Sequence, residues 1–431
     1  MKHYFKLLTV RHLLYIFVTL YIPTLSLSQE EEVSPIPDEK KLEWSGNLDV
    51  KYSLLQMSQT SPAYRLQFYS SKDISRYLSQ YRIEPYLNAE YKSGSLGFFM
   101  KTHATYFSDD EASVDLFEAY ARYNPSLSTT MQLGKSVFSW GKGYAFNPVG
   151  YVNPLKDPEN PELAQAGILS ANVEYIKSFS SGALQSFAAQ AIIIPESNPI
   201  NGRFGEAKYT DVAAKLYFLF LDTDIDLMIY QGSRNPKRYG FDLSKNIMEN
   251  LEFHTEFGLT RNADRYFIGD GVLSREHGDV YSYLFGIRYL NEWNTTVIAE
   301  YYRNGFGLSE TEYESYYNYL LNGLTIGTPV AIQQTLGISQ AYFKSNTLMR
   351  DYLYVKITQP EPFDLLYFTP SVYTIYNLQD NSFLLSTNFT YKPETNLEFI
   401  IWYTSMFGKD ASEFGSRQVE QKIELWMRAY F

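Results

Sequence analysis

The chain closes on KIELWMRAYF, in which Ile423, Leu425, Met427, Ala429 and Phe431 alternate with Lys422, Glu424, Trp426, Arg428 and Tyr430. The same two-residue period runs through LEWSGNLDVKY, where Leu42, Trp44, Leu48, Val50 and Tyr52 interleave with Glu43, Ser45, Asn47, Asp49 and Lys51. It recurs in YRIEPYLNAEYK, as Tyr81, Ile83, Leu87, Ala89 and Tyr91 against Arg82, Glu84, Asn88, Glu90 and Lys92. Successive side chains of a strand point to opposite faces, so each segment reads as a two-faced β-strand. Ordinary strands run to about five or six residues. These are about as long as the roughly ten residues a tilted membrane-crossing strand requires.

About eighteen such segments follow one another from Leu42 to Lys422, with later starts placed near Val114, Ile168, Val280 and Met349. Their connections differ by parity. KSGS, NPSLS, SSG, DT and NEWN, all after even-numbered segments, are tight, whereas the long stretches, including Gly305 to Leu348, all follow odd-numbered ones. That asymmetry belongs to a membrane barrel with short turns at one end and long loops at the other. In hydrocarbon every backbone amide needs a partner, so a sheet crosses only if it closes on itself. The expected fold is therefore all-β: one transmembrane antiparallel β-barrel of about 18 strands, with 16 as the alternative, short periplasmic turns and long extracellular loops. A secreted β-sandwich or propeller is the rival, and strand length and loop asymmetry count against it.

Composition agrees. Thirty-nine Tyr and 29 Phe against 5 Trp load the chain with side chains suited to the boundary between water and hydrocarbon. There is no Cys, which excludes a disulfide framework and a lipid-modified cysteine. Residues 1–28 carry Lys2, Lys6 and Arg11, an apolar run interrupted by Pro23, and small residues at Ser26 and Ser28, the layout of a cleaved signal peptide. Its removal takes the formal charge from −11 to −14. So acidic a chain is a poor partner for nucleic acid. Residues 29–41 then form a short periplasmic segment ahead of a barrel spanning 42–431.

The alternating closing strand with Tyr430 and Phe431 at its end resembles that of Gram-negative outer-membrane proteins. The resemblance implies a signal read by the barrel-assembly machinery. The stretch SWGKGYAFNPVGYVNPLKDPENPEL stands where porins carry the third outer loop, which folds into the lumen and narrows it, and GKSVFSWGKG is similar to a Gly-x-x-x-x-x-Trp-Gly element of porin-like barrels. The implied function is passive diffusion of small hydrophilic solutes through a porin-like channel in the bacterial outer membrane, among outer-membrane lipid, with no cofactor. Whether the barrel forms homo-oligomers is left open.

On this reading Trp140, Lys142, Tyr144, Phe146 and Tyr151 line a constriction, or alternatively cap the rim. The inward phase gives Arg82, Glu84, Lys101, Glu118, Arg122, Arg288, Arg350 and Lys356 as pore-lining residues. On the lipid face each cation would cost about 2–4 kcal/mol at mid-membrane. Glu252, His254 and Glu256 share one strand face and read as a lumen network rather than a metal site. In SETEYESYYNYLLNG, Ser309 and Glu312 have capping-box spacing, Tyr313, Tyr316, Tyr317, Leu320 and Leu321 form one helical face, and Gly323 is placed to stop the helix. Two rival functions remain: a plugged barrel used for anchoring or assembly, and an outer-membrane hydrolase. The second lacks a visible nucleophile with its base, since His103, His254 and His277 have no Ser or Asp arrangement in sequence, and GKG lacks phosphate-loop spacing.

Overall fold

A computed structural model describes residues 41–70, 74–109, 111–154, 156–196, 201, 209–233 and 235–431. The expected signal peptide, residues 1–28, and residues 29–40 of the expected periplasmic segment lie outside them, and the barrel's first strand takes in Lys41. Eighteen strands form one sheet, each antiparallel to the next in sequence, and β1 (Lys41–Met57) pairs with both β2 (Tyr77–Ser93) and β18 (Val419–Tyr430). The sheet has no free edge, as lipid demands.

The outward phase is apolar and exposed. Leu133 on β5 (Thr129–Ser136), Ile193 on β7 (Leu184–Glu196), Ile401 on β17 (Leu397–Phe407) and Leu425 on β18 all face out, while the charged residues Asp49 and Glu256 are fully buried inside. Lys135 shares the outward phase of Leu133 and reaches the carbonyl of Leu116 on β4 (Ala112–Ser126), 2.6 Å away. Such a contact keeps a cation at the edge of an apolar belt.

The seam between β1 and β18 ends on Phe431. Its carbonyl accepts from the amide of Gly46 at 3.0 Å, its amide donates back at 3.1 Å, and its ring lies over the glycine. A Cβ at Gly46 would fall 2.2 Å from the carbonyl of Tyr86 and 2.6 Å from that ring.

Two features depart from the expected pattern. First, β12 starts at Val272, not near Val280: β11 (Leu251–Gly269) and β12 (Val272–Leu290) are 19 residues each and continue as a hairpin past a bulge between Thr260 and Ala263. Second, the long connections hold helices beyond the expected one: α1 (Pro62–Gln67) lies between β1 and β2, and the expected α2 (Glu310–Ile326) is followed by α3 (Pro329–Tyr342) between β13 (Thr296–Arg303) and β14 (Asp351–Thr358). The capping box of Ser309 and Glu312 starts α2 as expected, but Gly327, at φ 65°, stops it. Gly323 is instead a packing notch, where a Cβ would meet Thr335 of α3 at 2.4 Å. The buried stripe is Tyr313, Tyr316, Leu320 and Gly323, with Tyr317 and Leu321 only partly covered. It packs with Leu66, Ile332 and Phe343 as a cap at the long-loop end. Arg265 of the β11–β12 hairpin braces this cap through two hydrogen bonds to Glu312, at 2.7 and 2.9 Å.

Gly46→Val is expected to lower stability by about 1–3 kcal/mol through overpacking at the seam, read from urea titration of the barrel refolded in vesicles. Gly278→Ala, where an added methyl has open space, is the control and stays within about 0.5 kcal/mol of wild type. Equal effects would remove the seam's special role.

Candidate functional site

The connection between β5 and β6 (Ile168–Ser178), residues 137–167, is the third at the long-loop end, and it lies inside the barrel against the wall. Two wall carboxylates hold its backbone. Glu256 on β11 accepts the amides of Lys142 and Gly143 at 2.6 Å each and of Val149 at 3.3 Å. Glu300 on β13 accepts those of Tyr144 and of Ala145, the latter at 2.9 Å. Both carboxylates are 0 % exposed. A charged acceptor given several backbone amides makes strong bonds, which is how a buried carboxylate is tolerated.

The local sequence makes this approach available. A Cβ at Gly141, whose φ is +92°, would lie 2.7 Å from Glu256 Oε1, and one at Gly143 would lie 2.2 Å from the carbonyl of Phe146. On the wall, His254, Gly286 and Glu300 form one register row across β11, β12 and β13. The missing side chain of Gly286 lets His254 Nε2 reach Glu300 at 3.0 Å. From the other side Lys156 donates to the carbonyls of Gly143 and Tyr144, the second at 3.1 Å. Burial pushes its ammonium below the usual lysine range, opposed by the charges of Glu256 and Glu300.

Apolar packing fixes the same loop. Phe138, Trp140, Val149, Tyr151 and Val152 form one buried cluster with Ile168, Ile192, Ile194, Ala213, Met228 and Tyr230. These wall residues belong to β6, β7, β8 (Tyr209–Phe220) and β9 (Thr223–Gln231), whose inward face is apolar at the long-loop end and polar further down, where Glu174, Gln190 and Lys215 line a cavity of about 210 Å³. Trp140 donates its indole N–H to Gln190 at 2.9 Å, Tyr151 its hydroxyl to the carbonyl of Tyr239 at 2.7 Å, and Phe146 stacks on Tyr302 with centroids 4.5 Å apart. Gly240 and Gly258, paired across β10 (Arg238–Met248) and β11, provide the seat for Val149, Pro148 and Tyr151.

Of the five residues assigned to the constriction, Trp140, Phe146 and Tyr151 are therefore buried anchors. Lys142 reaches Asp226 at 3.0 Å and Asp242 at 4.0 Å, both buried in the wall. Tyr144 is part-buried and receives a hydrogen bond from Arg288 at 3.4 Å. The part of the loop that borders the inner open space is residues 159–164, which the aromatic pattern did not single out; Pro158 just before it and Pro161 within it were the available signal.

Two larger cavities border the loop. An inner one of about 420 Å³ is bounded by Glu159, Glu162, Lys101, Lys356, Tyr373 and Trp426, among others; an outer one of about 430 Å³ lies beneath the helical cap. Along the inner wall Tyr354, Tyr373, Trp402 and Trp426 follow one another at 5.8, 6.4 and 5.4 Å, and Lys51 Nζ lies 4.2 Å over the Trp426 ring. Most inward charges are paired. Glu84 bonds Lys51 at 2.6 Å, Arg82 reaches Glu424 at 3.3 Å, and Lys356 reaches Glu162 at 3.4 Å. Glu118 accepts the amide of Val137 at 3.2 Å, and Arg122 donates to Tyr120 at 3.2 Å. Arg350 is the exception among the pore-lining assignments: it precedes β14 and braces Glu312 of α2 at 3.2 Å, because the helix covers that part of the mouth.

Glu256→Ala would orphan three buried amides at about 1–3 kcal/mol each. Trypsin should then cut the folded barrel after Lys142 or Lys156 at least about tenfold faster than wild type. Unchanged resistance would mean that the carboxylate does not hold the loop.

No family model and no curated protein sequence matches the chain. Solved structures do. Pseudomonas aeruginosa OccK2 (OpdF) in complex with glucuronate aligns at TM-score 0.54 and 10% identity over 90% of this chain and 98% of that one. Pseudomonas aeruginosa OccK11 (OpdR) aligns at 0.52 and 11% over 90% and 96%, and Pseudomonas aeruginosa OpdQ at 0.51 and 9% over 90% and 97%. At such identity the likeness is one of fold. In fold, the chain is a closed 18-stranded antiparallel β-barrel of the porin-like kind.

Proposed function

We propose that the barrel is a porin-like channel for passive diffusion of small hydrophilic solutes, with loop 137–167 narrowing its lumen. The observation that carries this reading is the pair of cavities lined by charged, hydroxyl and aromatic side chains inside a closed apolar shell. Selectivity in such a pore follows from its radius and the charges and rings that line it. Arg82, Glu84, Lys101, Glu118, Arg122, Arg288 and Lys356 contribute the polar wall, while Trp140, Lys142, Tyr144, Phe146 and Tyr151 shape the constriction by fixing the loop. The glucuronate complex of OccK2 is one small hydrophilic solute held by a barrel of this fold. Residues 1–28 are read as a signal peptide, and Tyr430 and Phe431 as the signal for the assembly machinery.

An enzymatic reading has less support. Thr105 and Glu84 approach the same nitrogen of His103, at 3.3 and 3.8 Å, so they form no relay through the ring. One observation favours a plugged barrel: the helical cap and residues Ala145 and Phe146 of the loop share one buried apolar cluster at the mouth.

Planar-bilayer recording separates the readings. Wild type should conduct, and replacing residues 139–164 with a short turn should raise single-channel conductance roughly twofold or more. Absence of current in wild type would favour the plug, and an unchanged conductance after deletion would end the role of the loop.

A further inference from the structure

The two cavities share a boundary. Glu159, near the tip of the loop, lines both of them, and Arg417, from the connection between β17 and β18, lines the outer one. The Arg417 guanidinium donates to the Glu159 carboxylate and to the carbonyl of Asn346, just after α3, and its face lies 4.5 Å over the ring of Phe414. One arginine thus ties together three separate elements of the long-loop end. Lys422 of β18 lines the outer cavity and sits 6.0 Å above the ring of Trp402, which lines the inner one. Glu159 is itself held from below, its carbonyl accepting the hydroxyl of Tyr373.

We propose that the Arg417–Glu159 pair is the specificity-determining partition between the outer and inner vestibules, past which a permeating solute must move. This rests on the channel reading above. The pair is chemically suited to the role because it is one-fifth exposed on each side and so only partly desolvated. A solute carrying a carboxylate can replace Glu159 on the guanidinium, and one carrying an ammonium can replace Arg417 on the carboxylate. Solutes bearing either charge exchange into the pair, and a zwitterion satisfies both halves at once. Neutral solutes meet a closed ion pair and gain nothing for opening it.

The test is reversal potential in a potassium chloride gradient across a planar bilayer, on the full chain. Glu159→Gln removes the carboxylate that the arginine bonds, leaving among the described residues only buried Glu413 near it, and should raise the anion-to-cation permeability ratio roughly twofold or more; Arg417→Gln leaves the Glu159 carboxylate and should lower it by a similar factor. Each variant is first shown to be a folded barrel by its heat-dependent gel mobility. If Arg417→Gln does not fold, because it also loses Asn346 and Phe414, the sign of the Glu159→Gln shift decides alone. A wild type that conducts while the foldable variants keep its permeability ratio, or shift it in the wrong direction, overturns the partition and leaves the channel intact. A wild type without current removes the channel reading and this inference with it.

Discussion

Five backbone amides of one loop end on two carboxylates buried in a barrel wall, and the interior is arranged around that attachment. An ionised carboxylate in a dry place is costly unless its oxygens are taken up by donors. The loop needs acceptors for amides that no strand can satisfy. Each side removes the other's penalty. The glycines at 141 and 143 on the loop, and at 286 on the wall, are where the backbone or a neighbouring ring must come closest.

Once the loop is fixed there, the lumen is divided by chemistry. Against the long-loop end of β6–β9 the barrel is packed like a soluble core, with Ile192, Ile194, Met228 and Tyr230 covering Trp140, Val149 and Tyr151, while lower on the same strands Glu174, Gln190 and Lys215 face inward. The opposite arc, β14 to β18 and on to β3 (Leu96–Phe107), keeps the charged and aromatic lining, including Lys101, Lys356, Trp402 and Arg428. The uncovered space is thus set by where the loop docks as well as by the strand number. The helical cap then sits over one end, braced to the long β11–β12 hairpin through Arg265.

Strands were legible because lipid imposes a strict alternation that a soluble fold need not keep, and closure on Phe431 followed from the same logic. The start of α2 was legible too, since the Ser309–Glu312 cap is a local motif. What stayed hidden depended on contacts distant in sequence. In PVAIQQTLGISQAY no charged face marks α3, and its footing is the notch at Gly323, which reads in sequence as a helix stop. The run Ile192, Ile193 and Ile194 has no polar phase, so which of them faces lipid was not written in the pattern; Ile193 does, and its neighbours face the loop. Likewise the aromatics of the loop pointed to a constriction or a capped rim, but not to their being its anchors while residues 159–164 border the open space.

Docking of the loop on the wall is the claim on which the rest stands, and the absence of native cysteine allows it to be tested by one cross-link. A Cβ at Gly240 would lie 3.2 Å from that of Val149, a few tenths of an ångström short of the roughly 3.5–4.5 Å that a disulfide spans, so a small shift of the loop brings the two sulfurs into bonding position. In Val149→Cys/Gly240→Cys barrels in native membranes, mild oxidation should produce near-complete intramolecular cross-linking, seen as a reducible shift in gel mobility. Two thiols that both stay open to alkylation in the folded barrel, with no cross-link formed, would contradict the account.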